Sequence, residues 1–102
     1  MLLGGFLSMF LLAGCASGTS DVHFTIGAEG FEPPVATADA GEAIELEVQN
    51  DTRAVQTVTV EGRPGLRVRP GETFSREVEA LSAGDHAVTL EGAPFRATLR
   101  AR

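Results

Sequence analysis

Residues 43–50 read AIELEVQN, in which Ile44, Leu46 and Val48 alternate with glutamate and glutamine. Successive side chains of a β-strand point to opposite faces of the sheet, so a period of two predicts a strand with one buried face. The stretch ends at Asn50, and the sequence Asn50-Asp51-Thr52 is typical of a turn. This segment therefore favours a β-sheet protein.

The same alternation recurs along the chain, in residues 22–26, 56–60, 74–80, 86–90 and 95–99. Clusters rich in Gly, Pro, Asn and Asp separate these stretches, and nothing after residue 20 repeats with the period of a helix. About seven short strands at this spacing predict one all-β domain over residues 22–102, either a sandwich or a small barrel.

The N-terminal residues have a different pattern. Residues 1–13 are apolar and carry no charged side chain. As a helix they would extend about 20 Å, which is short of the ~30 Å hydrocarbon core and typical of a cleaved secretory signal. Residues 12–15, LAGC, resemble the lipobox of bacterial lipoprotein signal peptides. The resemblance implies that residues 1–14 are a removed signal helix and that Cys15 is lipidated on its sulfur.

Residues 15–21 are then expected to be the lipidated cysteine and a flexible tether of small polar residues. Two or more acyl chains anchor a protein stably, whereas one chain binds a membrane only marginally. We therefore expect an extracytoplasmic protein that is lipid-anchored to the cell membrane or the outer membrane, on its periplasmic or outer face. The alternative is an incidental cysteine after an ordinary signal peptide.

Composition and motifs exclude several classes of function. The formal net charge is −6, and an acidic balance argues against nucleic acid as a partner. The single cysteine cannot form an intramolecular disulfide. No nucleophile motif of the Gly-x-Ser-x-Gly type occurs, and no glycine pattern opens a helix to hold phosphate. We therefore expect no enzymatic activity.

Five segments, in this order, resemble the cupredoxin family over residues 24–102. They are FEPP with AGEAI (31–44), EVQND (47–51), LRVRPGET (66–73), LSAGDHAV (81–88) and FRATL (95–99). The resemblance implies a Greek-key β-sandwich.

Copper in cupredoxins is held by two imidazoles, a thiolate and a weak axial thioether. The resemblance assigns these four ligand positions to Gln56, Leu90, Ala93 and Phe95. It therefore implies the fold without the type 1 copper site and without a cofactor. Gln56, Leu90 and Phe95 should meet at one end of the sandwich, with Leu90 and Phe95 mostly buried.

Three functional hypotheses follow. The first is a copper-free binding or scaffolding module that acts on a protein partner in the cell envelope. The second is a low-affinity handler of copper or another metal, with His23 and His86 as weak ligands together with nearby carboxylates. The third is a structural immunoglobulin-like domain with the same strand pattern.

Overall fold

A computed structural model describes residues 19–61 and 63–102 of the chain. The predicted signal peptide (1–14), the predicted lipidation site Cys15 and residues 16–18 of the predicted tether lie outside the described residues. Within the described ranges, no helix has the length and apolar character needed to cross a membrane.

The described residues form nine strands connected by turns and short loops. The strands are β1 (Thr19–Gly27), β2 (Gly30–Glu32), β3 (Val35–Ala38), β4 (Ala43–Asn50), β5 (Gln56–Val60), β6 (Leu66–Val68), β7 (Thr73–Val78), β8 (Gly84–Leu90) and β9 (Arg96–Ala101).

The strands form two sheets, one with the order β2–β1–β4–β7 and one with the order β3–β9–β8–β5–β6. The pairs β1–β4 and β3–β9 are parallel, and the remaining neighbours are antiparallel. Parallel neighbours cannot be joined by a tight hairpin, so the chain must cross between the sheets. One such crossing follows β2, where Pro33 and Pro34 lead to β3 in the other sheet. The predicted all-β sandwich is confirmed.

The core lies between the two sheets and is built by the alternating residues of the predicted strands. In β1, Val22, Phe24 and Ile26 are buried, and the residues between them are exposed or half-buried. Phe24 pairs in register with Val48 of β4, and its ring meets the ring of Phe31 edge to face at 5.6 Å. A fully buried phenylalanine contributes about 1.5–3 kcal/mol by leaving water. The buried side chains at every second position of the strands therefore pack between the two sheets and stabilise the sandwich.

The sandwich begins three residues before the expected boundary. Residues 19–21 were expected in the tether, but they form the start of β1 and pair in parallel with residues 43–45 of β4. Ser20 further accepts a hydrogen bond from the backbone N–H of Asp39 at 2.9 Å. Polar residues give no alternating signal at a strand end, because backbone pairing rather than burial holds them there.

Other differences lie at the edges of the sheets. The structure has nine strands where about seven were expected, since β2, β3 and β6 are three or four residues long and too short to show a period. The alternating stretch at 74–80 forms strand β7, in which only Val78 is buried, and Ala80 lies beyond the strand. The reason is that β7 is the outermost strand of its sheet.

Candidate functional site

The end of the sandwich where β5 begins and β8 ends carries the residues that the sequence singled out. Val58 pairs with Leu90 across these antiparallel strands. One step further, Glu91 donates its N–H to the carbonyl of Thr57 at 2.9 Å. Gln56 therefore lies beside the turn that follows Leu90.

Strand β9 brings the remaining two positions to the same end. Arg96 pairs with Thr89, so Phe95 lies next to Leu90 where β9 begins. Ala93, in the turn between these strands, donates its N–H to the carbonyl of Leu90 at 3.3 Å and packs against the core. The strand register therefore places Gln56, Leu90 and Phe95 at one end of the sandwich.

A buried polar residue, Asn50, organises the loop that leads to Gln56. Its amide nitrogen donates to the carbonyls of Ala54 at 2.8 Å and Val68 at 2.9 Å. Its oxygen accepts from the N–H of Thr52 at 2.9 Å and from the Thr52 hydroxyl at 2.7 Å. Thr52 Oγ1 in turn accepts a hydrogen bond from Gln56 Nε2 at 3.0 Å. The orientation of Gln56 is thus set from the core through two side chains.

The backbones of Asn50 and Asp51 connect β4 to two other chain segments at this end. Its N–H donates to the carbonyl of Glu72 at 2.9 Å, and its carbonyl accepts from Gly71 at 2.7 Å. The next residue, Asp51, donates to the carbonyl of Ile26 at 2.9 Å. Asn50 has no exposed surface, so all of these groups need partners within the protein.

Hydrocarbon side chains fill the space beside Gln56. Leu90 is 4% exposed, and Phe95 is half-buried against the core. The backbone of Gly30, in β2 of the opposite sheet, lies so close that a Cβ there would be 3.0 Å from Phe95 Cδ1. The burial expected for Leu90 is confirmed, whereas Phe95 remains partly in solvent because it lies at the open rim of the two sheets.

The sandwich is similar to several solved structures of blue copper proteins. Auracyanin A from Chloroflexus aurantiacus matches with a TM-score of 0.68 and 14% identity, over 83% of this chain and 100% of that chain. Auracyanin B matches with a TM-score of 0.69 and 12% identity, over 87% of this chain and 92% of that chain. The fold is that of a cupredoxin. The immunoglobulin-like alternative is not needed to account for it.

Longer copper proteins contain a similar domain. The blue copper oxidase from Nitrosomonas europaea matches with a TM-score of 0.66 and 15% identity over 83% of this chain. The chain spans 39% of the length of that oxidase. No protein-family profile matches the sequence, and no curated protein is significantly similar to it.

The donor set at this end of the cupredoxin fold does not fit a type 1 copper ion. That site needs imidazole nitrogens and a thiolate. The positions that the resemblance assigns to the ligands hold one amide, at Gln56, and the hydrocarbon groups of Leu90, Ala93 and Phe95, which have no lone pair to give. Among residues 19–61 and 63–102, no group of three His, Cys, Asp or Glu side chains is placed to hold a metal.

The two histidines lie on different sheets. His23 is exposed on β1, with Nδ1 2.9 Å from Glu47 Oε1 and Nε2 3.2 Å from Thr25 Oγ1. His86 lies on β8 of the other sheet. The structure therefore does not bring the two weak ligand candidates together, and His23 faces one carboxylate.

His86 is held by two acceptors. Its Nε2 donates to the carbonyl of Ser82 at 2.8 Å, and its Nδ1 lies 3.1 Å from Glu61 Oε1. The Ser82 carbonyl, with the Glu61 carboxylate, raises the pKa of His86 above its usual value, against the opposing effects of burial and the charge of Arg63. Both ring nitrogens of His86 are thus engaged near the beginning of β8.

Asn50 and Arg76 are polar residues that occupy the buried phase of an alternating strand, and this placement is visible in the sequence. Asn50 follows Ile44, Leu46 and Val48 at the same even spacing, so it occupies a buried position of β4. Arg76 lies in the same phase of β7 as buried Val78. A polar residue in the buried phase of a strand indicates a hydrogen-bond network or a cleft.

Proposed function

We propose that this chain is an extracytoplasmic, membrane-anchored binding module, with a cupredoxin fold and without type 1 copper chemistry, that acts on a protein partner in the cell envelope. The observation that carries the proposal is the hydrocarbon character and packing of Leu90 and Phe95, at positions that the cupredoxin resemblance assigns to copper ligands. Because the positions of Gln56, Leu90, Ala93 and Phe95 offer no donor set for type 1 copper, we assign the function to binding by the surfaces of the sandwich. The absence of enzymatic activity is part of this proposal.

A metal titration tests the copper-free part of the proposal. We expect calorimetric titration of residues 16–102, which retain all of β1, to show no stoichiometric binding of Cu(I) or Cu(II) at submicromolar concentrations, because no thiolate or pair of imidazoles converges. The same titration of His23→Ala and His86→Ala variants is the control. Submicromolar binding that either variant abolishes would instead support the metal-handling hypothesis.

A second experiment tests the anchor. When the full chain is expressed in a bacterium, Cys15→Ser should leave the detergent phase and appear in the soluble or unprocessed fraction, because several acyl chains supply the membrane affinity. Ser17→Ala, a small change two residues away, should partition like the wild type. A Cys15→Ser protein that stays as membrane-bound and as fully processed as the wild type would refute the lipid anchor.

A further inference from the structure

A cleft opens between the two sheets on the side where β7 faces the β5–β6 hairpin. Its volume is about 340 Å³, which lies within the usual range of about 300–1,000 Å³ for small-molecule sites. Its floor consists of core side chains, none more than 7% exposed: Leu46, Val58, Val60, Leu66 and Val78. The floor of the cleft is thus made of apolar core side chains, and the lining includes none of Gln56, Leu90, Ala93 and Phe95.

Two arginines from different sheets line the mouth of this cleft. Arg63 comes from the connection between β5 and β6, and its Nε is buried without a hydrogen-bond partner in the part of the chain that the structure describes. Arg76 pairs with buried Leu46 and shares the inward face of β7 with Val78. The ion pairs formed by the described residues include neither arginine.

A buried N–H donor without an acceptor is rare in folded proteins and destabilising. The acceptor is not supplied by the two glutamates of the cleft rim. Glu77 alternates with Arg76 and Val78 and therefore belongs to the outer face of β7, and Glu79 follows in the same phase. Among residues 19–61 and 63–102, neither arginine of the cleft forms an ion pair, and both line the cleft together with the apolar floor.

We propose that this cleft binds a small molecule that joins a compact apolar tail to a carboxylate. The tail covers the floor formed by Leu46, Val58 and Leu66, and the carboxylate accepts hydrogen bonds from the guanidinium groups of Arg63 and Arg76. Guanidinium groups bind carboxylates through paired, charge-assisted hydrogen bonds, which a neutral head group cannot match. The net charge of −6 repels anions at a distance, so selection rests on these local contacts.

The test is a titration of the full chain, held in lipid nanodiscs, with hexanoate, hexan-1-ol and hexylammonium, followed by amide chemical shifts. We expect hexanoate to shift the amide signals of β7 and of Arg63, Gly65 and Leu66 saturably, and hexylammonium to leave them unchanged. Arg63→Gln should weaken hexanoate binding about tenfold, because one charge-assisted hydrogen bond is lost, and should leave hexan-1-ol binding unchanged. Arg63→Lys keeps the positive charge but lacks the Nε donor. Its affinity for hexanoate should therefore lie between those of the wild type and Arg63→Gln.

Arg67→Gln is the matched control, since it removes the same charge from an exposed position of β6 that does not line the cleft. It should bind hexanoate like the wild type. Equal weakening by Arg67→Gln and Arg63→Gln would reduce the effect to net charge and overturn the proposal. Equal affinities for hexanoate and hexan-1-ol would also overturn the proposal. They would instead indicate that the cleft binds an apolar side chain of a partner protein. No saturable shift with any probe would overturn it as well. Copper binding is a separate measurement, and none of the four positions assigned to copper ligands lines the cleft, so the two proposals succeed or fail separately.

Discussion

Asn50→Ala should lower the free energy of unfolding by about 2–4 kcal/mol, since four side-chain hydrogen bonds are lost and each contributes about 0.5–1.5 kcal/mol. The carbonyl of Val68 is left without the amide that it accepts from in the interior. Against a total stability of about 5–15 kcal/mol for a small domain, this is a large loss. Urea denaturation followed by far-UV circular dichroism measures it, since the chain has no Trp or Tyr.

Two further variants separate the network from the general effect of substitution at this strand end. Gln49→Ala changes the neighbouring residue, whose side chain bonds only to exposed Asp51, and should cost less than about 1 kcal/mol. Asn50→Asp should cost at least as much as Asn50→Ala at neutral pH, because a carboxylate cannot donate to the carbonyls of Ala54 and Val68. Equal losses for Gln49→Ala and Asn50→Ala would contradict the role given to this network.

Gly30→Ala should lower the free energy of unfolding by about 2–5 kcal/mol, from two separate causes. The φ angle of Gly30 is +114°, a conformation that costs an L-residue on the order of 1–2 kcal/mol. The added Cβ would in addition lie 3.0 Å from Phe95 Cδ1, so the ring must move, and crowding of a packed core costs about 1–3 kcal/mol. Gly27→Ala is the matched control: Gly27 pairs with Gly30 across β1 and β2, and a Cβ there meets nothing within 4 Å.

A double-mutant cycle isolates the contact with Phe95. Phe95→Ala alone should cost about 2 kcal/mol, less than the 3–5 kcal/mol of a fully buried phenylalanine, because the ring is half-buried. In the Phe95→Ala background the crowding term of Gly30→Ala should vanish and the conformational term should remain, leaving a coupling energy of about 1 kcal/mol or more. Strictly additive losses, measured by the same denaturation assay, would show that the two residues do not press against each other.

The alternating pattern was enough to predict the class of the fold, and residue identity was enough to predict the chemistry of the positions assigned to copper ligands. A period of two is a local property of the extended backbone, so Ile44, Leu46 and Val48 indicate a strand without knowledge of its neighbours. The chemistry of Leu90 and Phe95 is likewise local, because a hydrocarbon side chain lacks donor electrons wherever it lies.

Which strands are neighbours could not be read from the alternating pattern and depends on the folded sandwich. The parallel pairing of β1 with β4, the contact of Phe95 with Gly30, and the approach of Arg63 and Arg76 to one cleft all join residues that are distant along the chain. Such pairings depend on how whole faces of the two sheets fit together, and no single stretch carries that information. The same holds for β2 and β3, which are strands because a neighbour supplies their hydrogen bonds, not because their own residues alternate.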